Sequence, residues 1–129
     1  MSDCPCGRGL PYAQCCGRYV EDFEGLPAPD AEALMRSRYS AYARRDAAYL
    51  LRTWHSSTRP AVLELEQDAG LRWLGLKILN CSAGGAGDEE GTVEFVARYK
   101  VAGKAGRMHE ISRFAREEGA WRYLDGKVS

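Results

Sequence analysis

Four cysteines lie close together near the start of the chain and have the residue type and spacing of a metal site. They are Cys4, Cys6, Cys15 and Cys16, and a fifth cysteine, Cys81, lies far from them in the sequence. In a reducing compartment, such a cluster binds a metal more often than it forms a disulfide framework. Zinc takes four thiolates tetrahedrally at about 2.3 Å. The spacing therefore predicts a zinc site, and the alternatives are a labile disulfide pair or reduced thiols without a metal.

The residues around these cysteines resemble the SEC-C motif, a short zinc-binding element also found at the C-terminal tail of the SecA translocation ATPase. The matching residues are Cys4-Pro5-Cys6-Gly7-Arg8-Gly9, Tyr12 and Cys15-Cys16-Gly17. The resemblance implies that the four cysteines hold one structural zinc ion. In SecA the element contacts other components of the export and translation apparatus, which implies a protein partner here. The exposed residues expected to meet that partner are Arg8, Tyr12 and Arg18.

Four polar residues in the rest of the chain are candidates to line a ligand pocket: Arg38, Tyr42, His55 and Glu110. If Phe114 faces the core, the period of two along a strand places Glu110 on the same face. A carboxylate there needs a partner or a raised pKa, and Arg38 or Arg59 could be the partner. Glu110 is then either half of a structural ion pair or a general base or ligand anchor. A register slip of one residue would instead turn His109 inwards.

The two histidines give little support to a catalytic site. His55 follows a predicted helix and precedes a Ser/Thr-rich loop, so it could be an acid/base group or a helix C-cap. We expect His109 to be exposed. Neither histidine has an evident orienting partner for a nucleophilic triad, and the sequence contains no paired-ligand motif for a catalytic metal.

The elements that must position these residues begin with helices. Residues 20–29 contain prolines and acidic side chains and predict a linker. Asp30 is typical of an N-cap for a helix over 31–45, and Asp46 for a second, short helix. Apolar residues of the first helix fall on one face, with Arg38 near this stripe: Ala31, Leu34, Met35, Tyr39 and Tyr42. Residues 61–68 could form a third short helix or a strand, and we favour the helix.

Strands follow after Gly70, where the apolar pattern changes to a period of two. Leu74, Leu76 and Ile78 are predicted to share one face, and Cys81 to be an ordinary buried residue. Residues 82–91 and 103–106 predict turns, and apolar residues alternate from 93 to 101. A third strand over 107–117 and a short fourth over 121–125 complete the pattern. The sequence thus predicts an α+β fold with helices packed on one face of a curved antiparallel sheet of about four strands.

Over nearly its full length the chain resembles the YchJ-type proteins, small bacterial proteins with an N-terminal SEC-C motif. The matching stretches are Leu34-Met35-Arg36-Ser37-Arg38-Tyr39-Ser40-Ala41-Tyr42, Thr53-Trp54-His55, Ser57-Thr58-Arg59-Pro60, Val93-Glu94-Phe95 and His109-Glu110-Ile111-Ser112-Arg113-Phe114. Ser56 departs from the proline common after the Trp-His pair. The resemblance implies a SEC-C element over 1–19, a linker over 20–29 and a nuclear-transport-factor-2-like (cystatin-like) cone over 30–129. Such cones have a pocket between helices and sheet, and they serve enzymes and binding modules alike.

Composition excludes some functions for this chain of 129 residues. Its 18 basic and 18 acidic residues cancel, so nucleic acid is not an expected partner. The longest run without a charged residue is ten residues, over 78–87, whereas a membrane helix needs about 20 apolar residues. The first residues lack the apolar core of a signal peptide, so we expect a cytoplasmic protein without membrane association.

These observations favour a zinc-binding adaptor or binding module. Its SEC-C element would meet a protein partner, and its cone would take a peptide or small ligand. The alternative is a small-molecule enzyme, isomerase- or hydrolase-like, using the four polar candidates in the cone. Binding is preferred because no pair of residues has evident acid/base geometry in the sequence.

Overall fold

The computed structural model describes residues 4–6, 10–21, 28–61, 63, 71–85 and 87–128. Arg8, most of the predicted linker and most of the predicted helix over 61–68 lie outside these ranges. In the part of the chain that is described, no helix combines the length and hydrophobicity needed to span a bilayer.

Short helices precede a four-stranded sheet. After a 3-10 turn at Tyr12–Gln14, the helices are α1 (Gly17–Val20), α2 (Ala31–Ala43) and α3 (Ala47–Arg52), and the strands are β1 (Leu71–Ala83), β2 (Glu90–Val101), β3 (Lys104–Glu117) and β4 (Ala120–Val128). The strands pair antiparallel in the order β1-β2-β3-β4. Helix α2 packs against β1, β2 and β4. The predicted α+β architecture is therefore confirmed.

Both predicted helix caps are present. The Asp30 carboxylate accepts a hydrogen bond from the Ala33 amide at 2.7 Å, and Asp46 accepts one from the Tyr49 amide at 3.1 Å. Helix α2 ends two residues earlier than predicted. Arg45 has a φ of 58°, a left-handed conformation that does not continue a helix.

The strands are longer and the turns tighter than predicted. Ala102 and Gly103 alone connect β2 to β3, with φ angles of 49° and 83°. Positive φ at both central residues matches the twist of a two-residue hairpin. Strand β3 therefore begins at Lys104 rather than at 107, and β4 continues to Val128.

Two irregularities in the edge strand β1 correct the predicted burial there. The register shifts between Trp73 and Gly75 and again between Ile78 and Asn80. Leu74, at the first shift, is 50% exposed, whereas Ile78 packs against the core. Cys81 is exposed rather than buried, because it lies near the end of this edge strand, where its Sγ meets only Glu32 Oε1 at 3.6 Å among its described contacts. Val101, at the far end of β2, is also exposed.

Helix α2 is buried on more sides than its apolar stripe predicts. Ser37, Ser40 and Ala41 are fully buried, and the predicted apolar face is buried except for Tyr42, which is partly exposed. The helix lies between the sheet on one side and α1 and α3 on the others. Its polar groups are satisfied internally: Ser37 Oγ donates to Leu34 O at 2.8 Å and lies 2.7 Å from the Tyr49 hydroxyl. This helix therefore connects the N-terminal residues to the sheet.

Candidate functional site

The four N-terminal cysteines form a compact, buried sulfur cluster. Their Sγ atoms all lie within 4.8 Å of one another, and Cys6 Sγ is 3.5 Å from Cys15 Sγ. All four are free of disulfides and at most 3% exposed. Thiolates arranged tetrahedrally about an ion at about 2.3 Å would lie about 3.8 Å apart. The cluster therefore fits the requirements of a metal site and could hold one ion.

The electrostatics of the cluster agree with this chemistry. Burial, reinforced by the neighbouring Cys6 and Cys4 thiols, raises the pKa of Cys15 to about 11. The pKa of Cys16 is also raised, chiefly by its hydrogen bond with Cys6 and then by burial. Buried thiols packed this closely do not ionise together unless a cation compensates their charge.

Helix α2 holds the cysteine loop in place. Cys4 Sγ lies 3.4 Å from Ser40 Oγ, and Arg36 Nη1 donates to the Cys6 carbonyl at 3.2 Å. Arg36 is itself fixed by Glu32, whose carboxylate accepts from Nε at 3.0 Å. The cysteines consequently belong to the same hydrophobic cluster as the core of the sheet.

Gly17, which follows the last cysteine, is required by a close backbone approach. A Cβ at this position would lie 2.7 Å from the Tyr12 carbonyl oxygen. Any side chain would push α1 away from the 3-10 turn between the two cysteine pairs. A glycine is therefore required for steric reasons at the end of the cysteine motif.

The residues predicted to meet a protein partner differ in their surroundings. Tyr12 is half-buried rather than exposed, because the Arg44 guanidinium lies 4.0 Å from its ring centroid. Burial raises the pKa of Tyr12 to about 12. Arg18 is exposed, with Nε donating to the Cys15 carbonyl at 3.0 Å. Leu10, which sequence reasoning did not single out, is 42% exposed in the same loop.

A second site is the cavity of about 250 Å³ between α2 and the inner face of the sheet. Its walls are mainly apolar and aromatic, and the lining residues are Met35, Arg38, Tyr39, Tyr42, Trp73, Phe95, Ala97, Met108, Glu110, Ser112 and Tyr123. Three of the four predicted pocket candidates are among them. The fourth, His55, is outside this described lining.

Glu110 faces the cavity, as the strand period predicts. It shares the lining with Met108 and Ser112, two residues before and after it on β3. The Ser112 hydroxyl donates to the Glu110 carboxylate. On β4, Gly126 pairs with Ser112, and a Cβ at Gly126 would collide with that carboxylate. This glycine makes room for Glu110, and no sequence pattern identified it.

Neither predicted partner forms an ion pair with Glu110 in the described chain. Arg59 instead donates to the Trp54 carbonyl from Nε at 3.0 Å and from Nη2 at 2.8 Å. Of the two roles open to Glu110, the structural ion pair with Arg38 or Arg59 is therefore wrong for the described residues.

Arg38 is 3% exposed and bound within the protein. Its Nη1 donates to Leu50 O and to Thr53 Oγ1, both at 2.8 Å. Its guanidinium also lies over the rings of Trp54 and Tyr123, at 5.1 and 4.6 Å from their centroids. Burial lowers its pKa, yet a guanidinium stays charged in proteins. Hydrogen bonds and ring faces compensate this buried charge.

The pKa values of two tyrosines are affected by both charged residues of the cavity, Arg38 and Glu110. Burial raises the pKa of Tyr42, while Arg38 lowers it and Glu110 raises it. For Tyr123, burial and then Glu110 raise the pKa to about 12, against a smaller opposing effect of Arg38. Both side chains are therefore neutral phenols at physiological pH.

Neither histidine is among the described residues that line the cavity. His55 belongs to a short segment that extends the sheet: its amide donates to the Tyr123 carbonyl at 2.7 Å, and its Nδ1 lies 2.8 Å from Ser57 Oγ. It does not cap α3, whose C-cap is Thr53. His109 is half-buried rather than exposed, with Nε2 2.6 Å from a Glu94 carboxylate oxygen.

A four-cysteine element that could hold a metal, packed on an α+β cone with an internal cavity, defines the class of SEC-C proteins with a nuclear-transport-factor-2-like domain. Comparison with family models supports this class. The model described as "YchJ, middle NTF2-like domain" matches residues 30–126, and the SEC-C motif matches residues 2–18. The chain belongs to the YchJ family of SEC-C proteins.

Relatives are similar along almost the whole chain. A UPF0225 protein of Chromobacterium violaceum is 59% identical over 98% of this chain and 93% of its own length. A UPF0225 protein of Streptomyces coelicolor is 54% identical, covering 96% of this chain and 94% of the relative. The family resemblance therefore extends over both the cysteine element and the cone.

Two solved structures share the fold. The solution structure of a SEC-C motif containing protein from Rhodopseudomonas palustris is 34% identical, with a TM-score of 0.82 over 96% of both chains. The crystal structure of a SEC-C motif containing protein from Psychrobacter arcticus is 26% identical, with a TM-score of 0.79 over 98% of this chain and 82% of that one.

Proposed function

We propose that this protein is a binding module that takes a small ligand into the cavity between α2 and the sheet. The observation that carries the proposal is the composition of that cavity, in which apolar and aromatic walls surround a few polar groups. Small-molecule sites have this composition. The cavity volume of about 250 Å³ restricts the ligand to a small molecule or a single side chain of a peptide.

An isomerase- or hydrolase-like enzyme is the second candidate, and the presence of Glu110 in the cavity favours it. General acid/base catalysis needs a proton-transfer group placed with a second group to orient or complement it. The described group that donates a hydrogen bond to Glu110 is the Ser112 hydroxyl, the nearby phenols are neutral, and Arg38 is bound to the wall of the cavity. His55 belongs to a different part of the surface, so binding is the better-supported proposal.

The cysteine cluster supports a structural rather than a reactive metal. We propose one zinc ion on Cys4, Cys6, Cys15 and Cys16, in a protein that works in the cytoplasm, where thiols stay reduced. The four ligands are all protein sulfurs and buried, which leaves no open position for a substrate. Native mass spectrometry after purification under reducing conditions should find one zinc per chain. The Cys81→Ser variant should keep the zinc and the Cys6→Ser variant should lose it, whereas iron or a metal-free wild type would contradict the assignment.

A ligand screen tests the cavity. We expect small molecules that raise the melting temperature of the wild type to lose their effect in Ala97→Leu, because the larger side chain fills the cavity. The matched control is Ala105→Leu, at an exposed position of β3. Hits that stabilise both variants equally would place binding outside the cavity and overturn the proposal.

A protein partner for the SEC-C element is a further proposal, supported by the exposed Leu10 and Arg18 beside the cysteines. Cysteine substitutions cannot test it cleanly, because these residues belong to the core. Crosslinking in cells followed by mass spectrometry should give a partner for the wild type that Leu10→Ser loses while retaining its metal. Unchanged crosslinks in Leu10→Ser and Arg18→Glu would exclude this surface.

A further inference from the structure

The cavity contains a carboxylate without a cationic partner. Glu110 accepts a hydrogen bond from Ser112, and no Lys, Arg or His of the described chain lies within ion-pair distance of its oxygens. A carboxylate in a mainly apolar site is costly unless something compensates its charge. A ligand is the natural source of that compensation.

Arg38, the residue with a permanent positive charge among the described lining, is already engaged. The Nη1 of Arg38 donates to Leu50 O and Thr53 Oγ1, and its guanidinium lies over two rings. Turning it towards Glu110 would break both of these hydrogen bonds. Arg38 is therefore built into the wall and does not present free donors from Nη1 to an anionic ligand.

The remaining walls suit a positive charge. Trp73 lies 5.8 Å from Tyr39 and 6.3 Å from Tyr42, measured between ring centroids. Ring faces attract cations through their quadrupole. Burial raises the pKa of Tyr39 to about 12, so this aromatic group is uncharged at neutral pH. A carboxylate beside several aromatic rings is a known chemistry for binding ammonium groups.

We infer that the cavity selects a small organic cation, an alkyl- or arylalkylammonium, with its nitrogen against Glu110 and its apolar body among the rings of Tyr42 and Trp73. The inference deepens the proposed function and rests on it. An anion would face the Glu110 charge, and the described cation of the lining, Arg38, is already bound to Leu50 O, Thr53 Oγ1 and two ring faces. A neutral ligand could donate a hydrogen bond to the carboxylate but would not offset its charge after removing its water.

Three probes of equal ring size and different charge test this selectivity: benzylammonium, benzyl alcohol and benzoate at pH 7. The readout is the indole N–H signal of Trp73 in nitrogen-15 NMR spectra of the metal-loaded protein. Trp73 is the tryptophan among the described cavity residues, and Trp121 serves as the internal reference. A charge-assisted contact predicts that benzylammonium binds about tenfold more tightly than benzyl alcohol. Benzoate should leave the Trp73 signal unmoved.

Two isosteric variants assign the effect to one carboxylate. Glu110→Gln keeps the shape of the side chain and should abolish the preference for benzylammonium. Glu94→Gln, which changes a carboxylate paired with His109 on the same sheet, should leave that preference intact. The dispersion of the amide spectrum shows whether each variant is folded.

Three results would overturn the inference: benzyl alcohol or benzoate binding as tightly as benzylammonium, an unchanged preference in Glu110→Gln, or no movement of Trp73 with benzylammonium. Different results distinguish the failure of this inference from the failure of the proposed function. Neutral or anionic screening hits that Ala97→Leu abolishes would leave the cavity as the binding site and exclude the cation. Hits that survive Ala97→Leu would exclude the cavity itself.

Discussion

At the scale of single residues, the two charges of the cavity have different roles. Arg38 is buried and bonded to Leu50 O and Thr53 Oγ1, so its contribution is to structure. Glu110 carries a charge into the cavity with only a hydroxyl beside it among its described hydrogen bonds. The first residue shapes the wall, and the second is available to a ligand.

Replacing Arg38 should therefore destabilise the fold. Arg38→Met removes two charge-assisted hydrogen bonds, and we expect the free energy of unfolding to fall by about 3 kcal/mol. Arg72→Met, at an exposed position of β1, should change it by less than about 0.5 kcal/mol. Urea unfolding of both variants measures the difference, and equal losses would contradict the structural role of Arg38.

A side chain at Gly126 should displace the Glu110 carboxylate. The Cβ of Gly126→Ala would enter the space of that carboxylate, which lies at the end of a flexible side chain and can move aside, so we expect a stability cost of at most about 1 kcal/mol, the low end of overpacking costs. The displacement should weaken benzylammonium binding. Gly87→Ala is the matched control, since no atom lies within 4 Å of a Cβ built there. A stable Gly126→Ala that binds the probe normally would show that this space is not needed.

Some residues of the site can be predicted from the sequence, and others cannot. A period of two suffices to direct Glu110 inwards, and the helical stripe suffices to bring Arg38 to the cavity. The role of Gly126 was not predictable, because it depends on the pairing of β3 with β4. His55 was misplaced because its neighbours suggest a helix end, whereas its backbone in fact follows β4.

At the scale of elements, α2 connects the two candidate sites. Ser40 and Arg36 contact the cysteine loop, while Arg38, Tyr39 and Tyr42 line the cavity on the same helix. A conformational change in the cysteine element should therefore alter the position of the cavity residues on α2.

Removing the metal should loosen α2 before it affects the sheet. Chelation under reducing conditions leaves four buried thiols without their compensating charge, and the contacts of Ser40 and Arg36 with the loop depend on its conformation. We expect hydrogen exchange at the amides of α2 to accelerate at least tenfold, with smaller changes in β2 and β3. Unchanged protection of α2 in the metal-free protein would contradict this coupling.

The segment that follows α3 should respond to acid. Glu117 on β3 accepts hydrogen bonds from the Ser56 hydroxyl and from its amide, the latter at 3.1 Å. The Ser56 hydroxyl, more than any other group, lowers the pKa of Glu117. A carboxyl whose pKa is lower in the folded state contributes stability above its unfolded pKa and loses it as the pH falls through the folded value.

Glu117→Gln should therefore reduce stability at pH 7 and lessen its decline between about pH 5 and pH 3. The matched control is Glu118→Gln in the adjacent turn. Thermal unfolding across this pH range measures both slopes. An identical slope in Glu117→Gln and the wild type would exclude the contribution of this contact.

The elements themselves were largely predictable, and their limits were not. Asp30 and Asp46 identify the helix starts because N-caps depend on local chemistry. The end of α2 depends on the left-handed φ of Arg45, and the exposure of Leu74 depends on an irregularity in β1. The end of α2 and the exposure of Leu74 both result from packing, and the pattern of residue types does not predict them.

At the scale of the whole molecule, the cysteine element and the cone share one hydrophobic core. The sulfur cluster is continuous with residues such as Leu34, Phe95 and Trp121. The cysteine element thus packs against the helix that forms one wall of the cavity. This shared packing enlarges the core of a short chain, in which a small core alone is marginal.

The most direct test of the cavity as the ligand site uses methyl-labelled protein with bound benzylammonium. Met35 and Met108 line the cavity, whereas Leu74 and Leu79 lie on exposed positions of β1. We expect intermolecular nuclear Overhauser contacts between the probe and the methyl groups of Met35 and Met108. Contacts confined to Leu74 and Leu79 would contradict the account and move the binding surface to the outside of the sheet.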